Sequence, residues 1–94
     1  MAKISVENVC QPGTSYTVDA DKYHDMRAAF LKVLPRKPGY TVAQMSQAVL
    51  PHLSQTLFPN GAKSGWWLKC VQLDLEAKGI VMRDQSTPLR LFKR

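Results

Sequence analysis

The chain has 94 residues, a length that supports one domain with one modest core. Its composition, 45% hydrophobic and 21% charged, is that of an ordinary globular protein and argues against general disorder. Because no stretch approaches the roughly 18 apolar residues of a membrane helix and the first ten residues lack the apolar block of a secretory signal, we expect a cytoplasmic protein without a membrane partner.

The net charge of +6 comes from the later part of the chain. Residues 1–34 contain four basic and four acidic side chains, whereas residues 35–94 contain nine basic and three acidic ones. Such an asymmetry is typical of a surface that attracts a polyanion such as nucleic acid. A basic surface that serves only solubility is the alternative.

The possible metal ligands are poorly spaced for a site. Cys10 and Cys70 lie far apart in the sequence and form no CxxC pair, and together with His24 and His52 they lack the close pairing of zinc ligands. We expect reduced thiols, since cytosolic proteins rarely form disulfides. The sequence therefore predicts no metal and no cofactor.

The first 18 residues form an N-terminal extension in our division of the chain, and residues 19–94 form the domain proper. The extension has weak periodicity. Within it SYTV, residues 15–18, alternates enough for a short strand after the turn signal QPG.

A first helix is predicted after this strand. Asp19 or Asp21 can cap its start, where a carboxylate suits the positive end of the helix dipole. Pro35 ends it. The apolar face has residues at spacings of three and four, namely Tyr23, Met26, Phe30, Val33 and Leu34.

A second helix is predicted to begin at Thr41, because Thr41 and Gln44 have the spacing of a capping box. Pro51 stops or kinks this helix after Leu50. The long connection PHLSQTLFPNGAK follows it.

A third helix is predicted from about Ser64 to Lys78, with Ser64 as N-cap and Gly79 directly after its C-terminus. Apolar positions occupy much of its circumference, so it should be buried on two sides. The polar stripe of this helix consists of Lys69, Gln72 and Glu76.

Trp66 and Trp67 stand side by side at the start of the third helix. On a helix buried on two sides, neighbouring rings can point towards different neighbours. Each ring carries a large apolar area, so we expect at least one in the core. The second ring either packs against a different neighbour in the core or is partly exposed at a contact surface.

After Gly79 the sequence period changes from 3.6 to 2. Residues 80–83 are predicted as a strand and residues 89–92 as its returning partner, with a turn between them. The apolar side chains assigned to the facing sides of the two strands are Ile80, Met82, Leu89 and Leu91. The predicted class is α+β, with three helices, a C-terminal hairpin and a short N-terminal strand.

Three helices followed by a hairpin is the order of a winged-helix domain. LDLEAKGIVMRD, residues 73–84, resembles the end of a winged-helix recognition helix running into its wing, and TVAQMSQAV, residues 41–49, is similar to the preceding helix. The resemblance covers roughly residues 20–94. The whole chain is also similar to a small group of uncharacterised bacterial proteins that share the GWW and VQLDLEAKG segments, which implies no function.

The resemblance to winged-helix domains implies a nucleic-acid-binding module, such as a small transcriptional regulator, whose third helix enters the major groove of duplex DNA. The residues it would assign to the third helix are Lys63, Ser64, Lys69 and Gln72. Those assigned to the wing are Arg83, Arg90, Lys93 and Arg94. A connection of about thirteen residues before the third helix and a phosphate-repelling Glu76 weaken the case for sequence-specific reading.

The alternative is a protein-interaction or assembly module of the same fold, in which Trp66 and Trp67 anchor another protein or a second copy of the chain. An enzyme is disfavoured, since the sequence offers no convincing acid–base pair or activated nucleophile. GAKSG, residues 61–65, lacks the GxxxxGK[ST] spacing of a phosphate loop. Cys70, in the middle of an apolar helix, is a poor candidate for a reactive thiolate.

Overall fold

The computed structural model of the chain describes residues 2–85 and 87–94. Its helices and strands, in chain order, are β1 (Lys3–Glu7), β2 (Ser15–Asp19), α1 (Ala20–Val33), β3 (Tyr40–Thr41), α2 (Val42–Val49), α3 (Ser64–Ala77), β4 (Val81–Asp84) and β5 (Arg90–Lys93). The connection from α2 to α3 contains two short 3-10 turns. The predicted α+β class, with three helices, an N-terminal strand and a C-terminal hairpin, is confirmed.

The strands form two antiparallel sheets. β1 pairs with β2, and the second sheet has the order β3–β5–β4, which makes β5 its central strand. Tyr40 lies opposite Leu91, and Val81 lies opposite Lys93. The sequence did not predict β1, whose period is weak, or β3, which has only two residues.

The first two helices begin where their capping signals predict. Asp19 is the N-cap of α1, and its carboxylate accepts a hydrogen bond from the backbone N–H of Asp21 at 2.9 Å. At the start of α2, Thr41 and Gln44 form the reciprocal capping box, with distances of 2.9 and 3.1 Å. Both caps involve residues within one helical turn, which explains why the sequence alone predicted where these two helices begin.

The N-cap of α3 differs by one residue from its prediction, whereas the glycine predicted to follow the helix is confirmed. Lys63, not Ser64, is the N-cap; it has a left-handed φ of 62° and no side-chain cap. At the other end Gly79 has a φ of +74°, as a residue after the C-terminus requires. The backbone N–H of Ile80 then donates to the Leu75 carbonyl at 2.9 Å and closes the helix.

The prediction of which β4 side chains face the core was wrong. Val81 is buried, whereas Met82 is exposed and Ile80 only partly buried. The backbone of Ile80 is used in closing α3, so the strand ladder begins one residue later than predicted. Neighbouring side chains point to opposite faces of a strand, so Met82 faces outwards where Val81 faces the core. On β5 the inward assignment of Leu91, which is fully buried, is confirmed.

One core joins all three helices and both sheets. Its largest fully buried side chains are Tyr23, Phe30, Phe58, Met26, Met45, Leu68, Leu75 and Leu91. The N-terminal hairpin contributes Val6 and Val18 to this core, so it packs as part of the same unit. Within the described part of the chain, no helix has the length and apolarity needed to cross a membrane.

Candidate functional site

Asp74, on the buried side of α3, joins three parts of the fold. Its Oδ1 accepts a hydrogen bond from the backbone N–H of Glu7 in β1 at 2.9 Å. Its Oδ2 accepts from Lys78 Nζ at 2.8 Å and from the Tyr23 hydroxyl of α1. A fully buried carboxylate needs such donors to replace water. Asp74 is therefore a structural junction between the N-terminal hairpin, α1 and α3.

Two phenols and a thiol near this junction have raised pKa values. Burial, followed by the hydrogen bond to Asp74, raises the pKa of the Tyr23 phenol. The Tyr16 hydroxyl lies 3.6 Å from Cys70 Sγ, and burial of that hydroxyl together with this contact raises the pKa of Tyr16 to about 12. Burial also raises the pKa of the Cys70 thiol, which therefore has little thiolate character at neutral pH.

Gln72, predicted to face DNA, is fully buried instead. Its Nε2 donates to Glu76 Oε2 at 3.0 Å, while its Oε1 has no hydrogen-bond partner among the described residues. The sequence showed Gln72 as part of a polar stripe, but β4 contacts α3, and Arg83 of β4 binds Glu76, the hydrogen-bond partner of Gln72. Gln72 therefore cannot reach a base edge in this conformation.

Arg83 of β4 completes the network that holds Gln72. Its Nε and Nη2 donate to the two carboxylate oxygens of Glu76 at 2.6 and 2.9 Å. These hydrogen bonds raise the pKa of the Arg83 guanidinium. Since the pair is bidentate, the charge that was assigned to phosphate binding is already neutralised within the domain.

The two tryptophans have different environments. Trp67 is 8% exposed, and its ring packs edge to face against Phe58, with centroids 6.3 Å apart. Trp66 is 55% exposed and contacts Trp67 edge to face at 5.0 Å. The expectation that at least one ring lies in the core is confirmed by Trp67, and of the two alternatives for the second ring the structure shows exposure, at Trp66. The contact role of the exposed ring stays a prediction.

Trp66 lies among two lysines and a second exposed aromatic ring. Lys63 precedes it by three residues and Lys69 follows it by three, and both are exposed. Tyr16, 41% exposed, reaches Cys70, one helical turn beyond Trp66. We call Tyr16, Lys63, Trp66 and Lys69 the Trp66 surface.

Two of the predicted binding residues, Ser64 and Arg94, lie at opposite ends of α3. Ser64 is partly exposed in the first turn. The guanidinium of Arg94 lies at the opposite end, where a Cβ added to Gly79 would be 3.3 Å from its Nη1. A cation there is favourable beside the negative end of the helix dipole.

The two other residues that the winged-helix resemblance assigned to a wing, Arg90 and Lys93, lie beside the loop between α1 and β3. Arg90 Nη1 donates to the Gly39 carbonyl at 3.2 Å, and the backbone N–H of Lys93 donates to the Pro35 carbonyl at 2.8 Å. We define the basic cluster as Lys32, Arg36, Lys37, Arg90 and Lys93. Lys32, Arg36 and Lys37 were not predicted as binding residues, because Pro35 was interpreted only as a helix stop and β3 was not foreseen.

Comparison with known protein families identifies the family of this chain. Residues 3–91 match a family of unknown function, DUF6958. The chain belongs to this family. The match runs from β1 into β5, so the N-terminal hairpin is included in the DUF6958 domain. Comparisons with curated proteins and with solved structures each gave no match.

Proposed function

We propose that this DUF6958 domain is a winged-helix-type protein-interaction module that docks a partner through the Trp66 surface. The order α1, β3, α2, α3, β4, β5, with the sheet order β3–β5–β4, supports the winged-helix part of the proposal. The N-terminal hairpin is an addition to that arrangement. It packs against α3, the helix that reads DNA in winged-helix proteins.

The observation that carries the proposal is the exposure of Trp66 on a helix whose C-terminal polar side chains, Gln72, Asp74 and Glu76, are engaged within the domain. Base reading requires free donors and acceptors on the exposed side of α3. Here Gln72 is buried and Arg83 is paired with Glu76. What α3 presents instead is an indole ring with more than half of its surface free.

An exposed tryptophan held in place by a buried one suits a protein contact. Tryptophan is among the residues enriched in interface hot spots. Because Trp67 is fixed in the core and touches the Trp66 ring, it restricts the positions that ring can adopt. Less side-chain freedom is then lost when a partner covers the ring.

The lysines on either side of Trp66 define the chemistry of the partner. Lys63 and Lys69 are exposed and lie three residues before and after Trp66, so the complementary segment presents an apolar side chain with carboxylates beside it. A symmetric dimer through this surface would place the same lysines against each other, because a two-fold interface brings together identical patches. The proposed partner is therefore an acidic segment of a different protein.

In-cell photo-crosslinking tests this proposal. A photo-crosslinking amino acid at Lys69 should give one discrete protein adduct in the source organism, and the same group at Lys3, an exposed lysine of β1, should not. Trp66→Ala in the same chain should abolish the adduct while costing only about 1 kcal/mol of stability, the worth of one aromatic contact.

The identity of the crosslinked protein distinguishes an acidic partner from a second copy of this chain. Charge reversal by Lys63→Glu with a crosslinker at Lys69 should weaken capture of an acidic partner. An adduct that persists with Trp66→Ala, an adduct of two copies of this chain, or the absence of any adduct at Lys69 would each contradict the proposal.

A further inference from the structure

We propose that the basic cluster is a second binding site, which holds the phosphodiester backbone of a nucleic acid. It lies where β5 meets the loop between α1 and β3, and it combines two residues that the winged-helix comparison assigned to the wing, Arg90 and Lys93, with cations that the comparison did not assign. The inference goes beyond the proposed function and does not depend on it.

The fold brings the two halves of the cluster together. Gly39 has a φ of +86°, and a Cβ at this position would clash with the Leu91 carbonyl, so only glycine allows the loop to lie so close to β5. The loop is fixed there by the bond from the Lys93 N–H to the Pro35 carbonyl. The Arg90 guanidinium donates to the Gly39 carbonyl and is held beside the loop.

The positive charge of the cluster is not neutralised by the nearby helix. The closest carboxylate along α1, Asp25, precedes Lys32 by seven residues, about 10 Å of helix, and its Oδ2 accepts the backbone N–H of Ser54. That separation is similar to the Debye length of about 8 Å in physiological salt. Of the later acidic residues, Asp74 and Glu76 are already in ion pairs with other cations.

One carboxylate does border the cluster. Asp84 lies opposite Arg90 across the β4–β5 ladder. It limits the site on the β4 side, and the phosphate path is therefore assigned to the loop side, where Arg36 and Lys37 are exposed.

The arrangement fits a chain of phosphates better than a membrane surface. Lys37 Nζ lies 5.2 Å from the centroid of the Phe92 ring, a cation–π distance that orients the ammonium. Arg36 adds a guanidinium, which suits phosphate geometry. Membrane docking would need apolar side chains that insert beside the basic ones, but the neighbouring Phe92 is partly buried and has Lys37 over it.

Salt dependence of binding to a fluorescein-labelled 20-base-pair DNA duplex is the first test. If three or four phosphates are engaged, affinity measured by anisotropy should fall roughly 40- to 150-fold between 50 and 200 mM NaCl, because each contact releases counterions. No binding at about 50 µM protein in 50 mM NaCl would overturn the proposal.

Two matched double variants locate the site. Arg36→Glu with Lys37→Glu changes the basic cluster, and Lys63→Glu with Lys69→Glu changes the Trp66 surface; each takes the net charge of +6 down by four, to +2. The first pair should weaken duplex binding more than about 10-fold and flatten the salt slope by about two. The second should weaken it less than about 3-fold. If charge reversal unfolds the loop, Arg36→Gln with Lys37→Gln should still weaken binding several-fold.

Three outcomes would overturn this assignment. Equal losses from both pairs would mean that net charge alone attracts DNA. A larger loss from the Lys63 and Lys69 pair would place nucleic acid on the Trp66 surface. Cluster-dependent binding to vesicles containing phosphatidylserine that is tighter than binding to the duplex would indicate a membrane site.

Discussion

The two halves of α3 use their polar residues in different ways. In the C-terminal half, Gln72 and Asp74 are fully buried, and Glu76 is paired with Arg83. In the N-terminal half, Trp66 and Lys69 face solvent. The chemical character of a side chain therefore does not decide its place here, since an amide and a carboxylate are inside and an indole is outside. What decides is which other element lies against each half.

The largest test of this contrast uses the two neighbouring tryptophans. Trp67→Ala should lower the free energy of unfolding by about 3–5 kcal/mol, because it removes a buried ring and leaves a cavity. Trp66→Ala should lower it by about 1 kcal/mol or less, since the ring is more than half exposed. Urea denaturation of both variants measures the difference. Equal losses would mean that both rings belong to the core.

Asp74→Ala should have the next largest effect, about 3 kcal/mol. The Tyr23 hydroxyl and the Glu7 N–H would both lose their acceptor, at about 1–3 kcal/mol for each unsatisfied buried group. Asp21→Ala is the control, because Asp21 is an exposed carboxylate in the first turn of α1 and should cost a few tenths of a kcal/mol. If Asp74→Ala lowered the free energy of unfolding by no more than this control, the claim that Asp74 is a structural junction would be contradicted.

A smaller effect is expected from Tyr23→Phe, about 1.5–2 kcal/mol near pH 7, the worth of a hydrogen bond to a charged group. The pKa of Tyr23 is raised above its value of 10.0 in the unfolded chain. The stabilisation is therefore complete below pH 10 and is lost as the pH rises from there through the raised pKa. The stability of Tyr23→Phe should accordingly fall less between pH 9 and 11 than that of the unchanged chain. The free energy of unfolding of both proteins is measured by urea denaturation at each pH, and an equal fall in the two between pH 9 and 11 would contradict this prediction.

Local signals in the sequence were enough for much of the fold. The Asp19 cap, the Thr41 capping box and Gly79 each depend on residues within one turn of themselves. The position of the α3 N-cap was missed because Lys63 adopts a left-handed conformation that lysine rarely takes. The inward face of β4 was missed because Ile80, Val81 and Met82 are all apolar, so alternation alone does not show which of them faces the core.

The candidate sites depend on long-range packing and were predicted less well. The sequence correctly kept Lys63 and Lys69 on the solvent side of α3. It placed Gln72 there as well, because nothing nearby in the sequence shows that β4 returns against that side. The grouping of Arg36 and Lys37 with Arg90 depends on β3, a strand too short to recognise by its period.

Acrylamide quenching of single-tryptophan variants tests most directly the claim that α3 keeps one indole for the core and leaves one for a partner. Trp67→Phe leaves Trp66 as the emitter, and Trp66→Phe leaves Trp67. Once circular dichroism shows that both variants are folded, Trp66 should be quenched several-fold more strongly than Trp67. Equal quenching of the two would contradict the account.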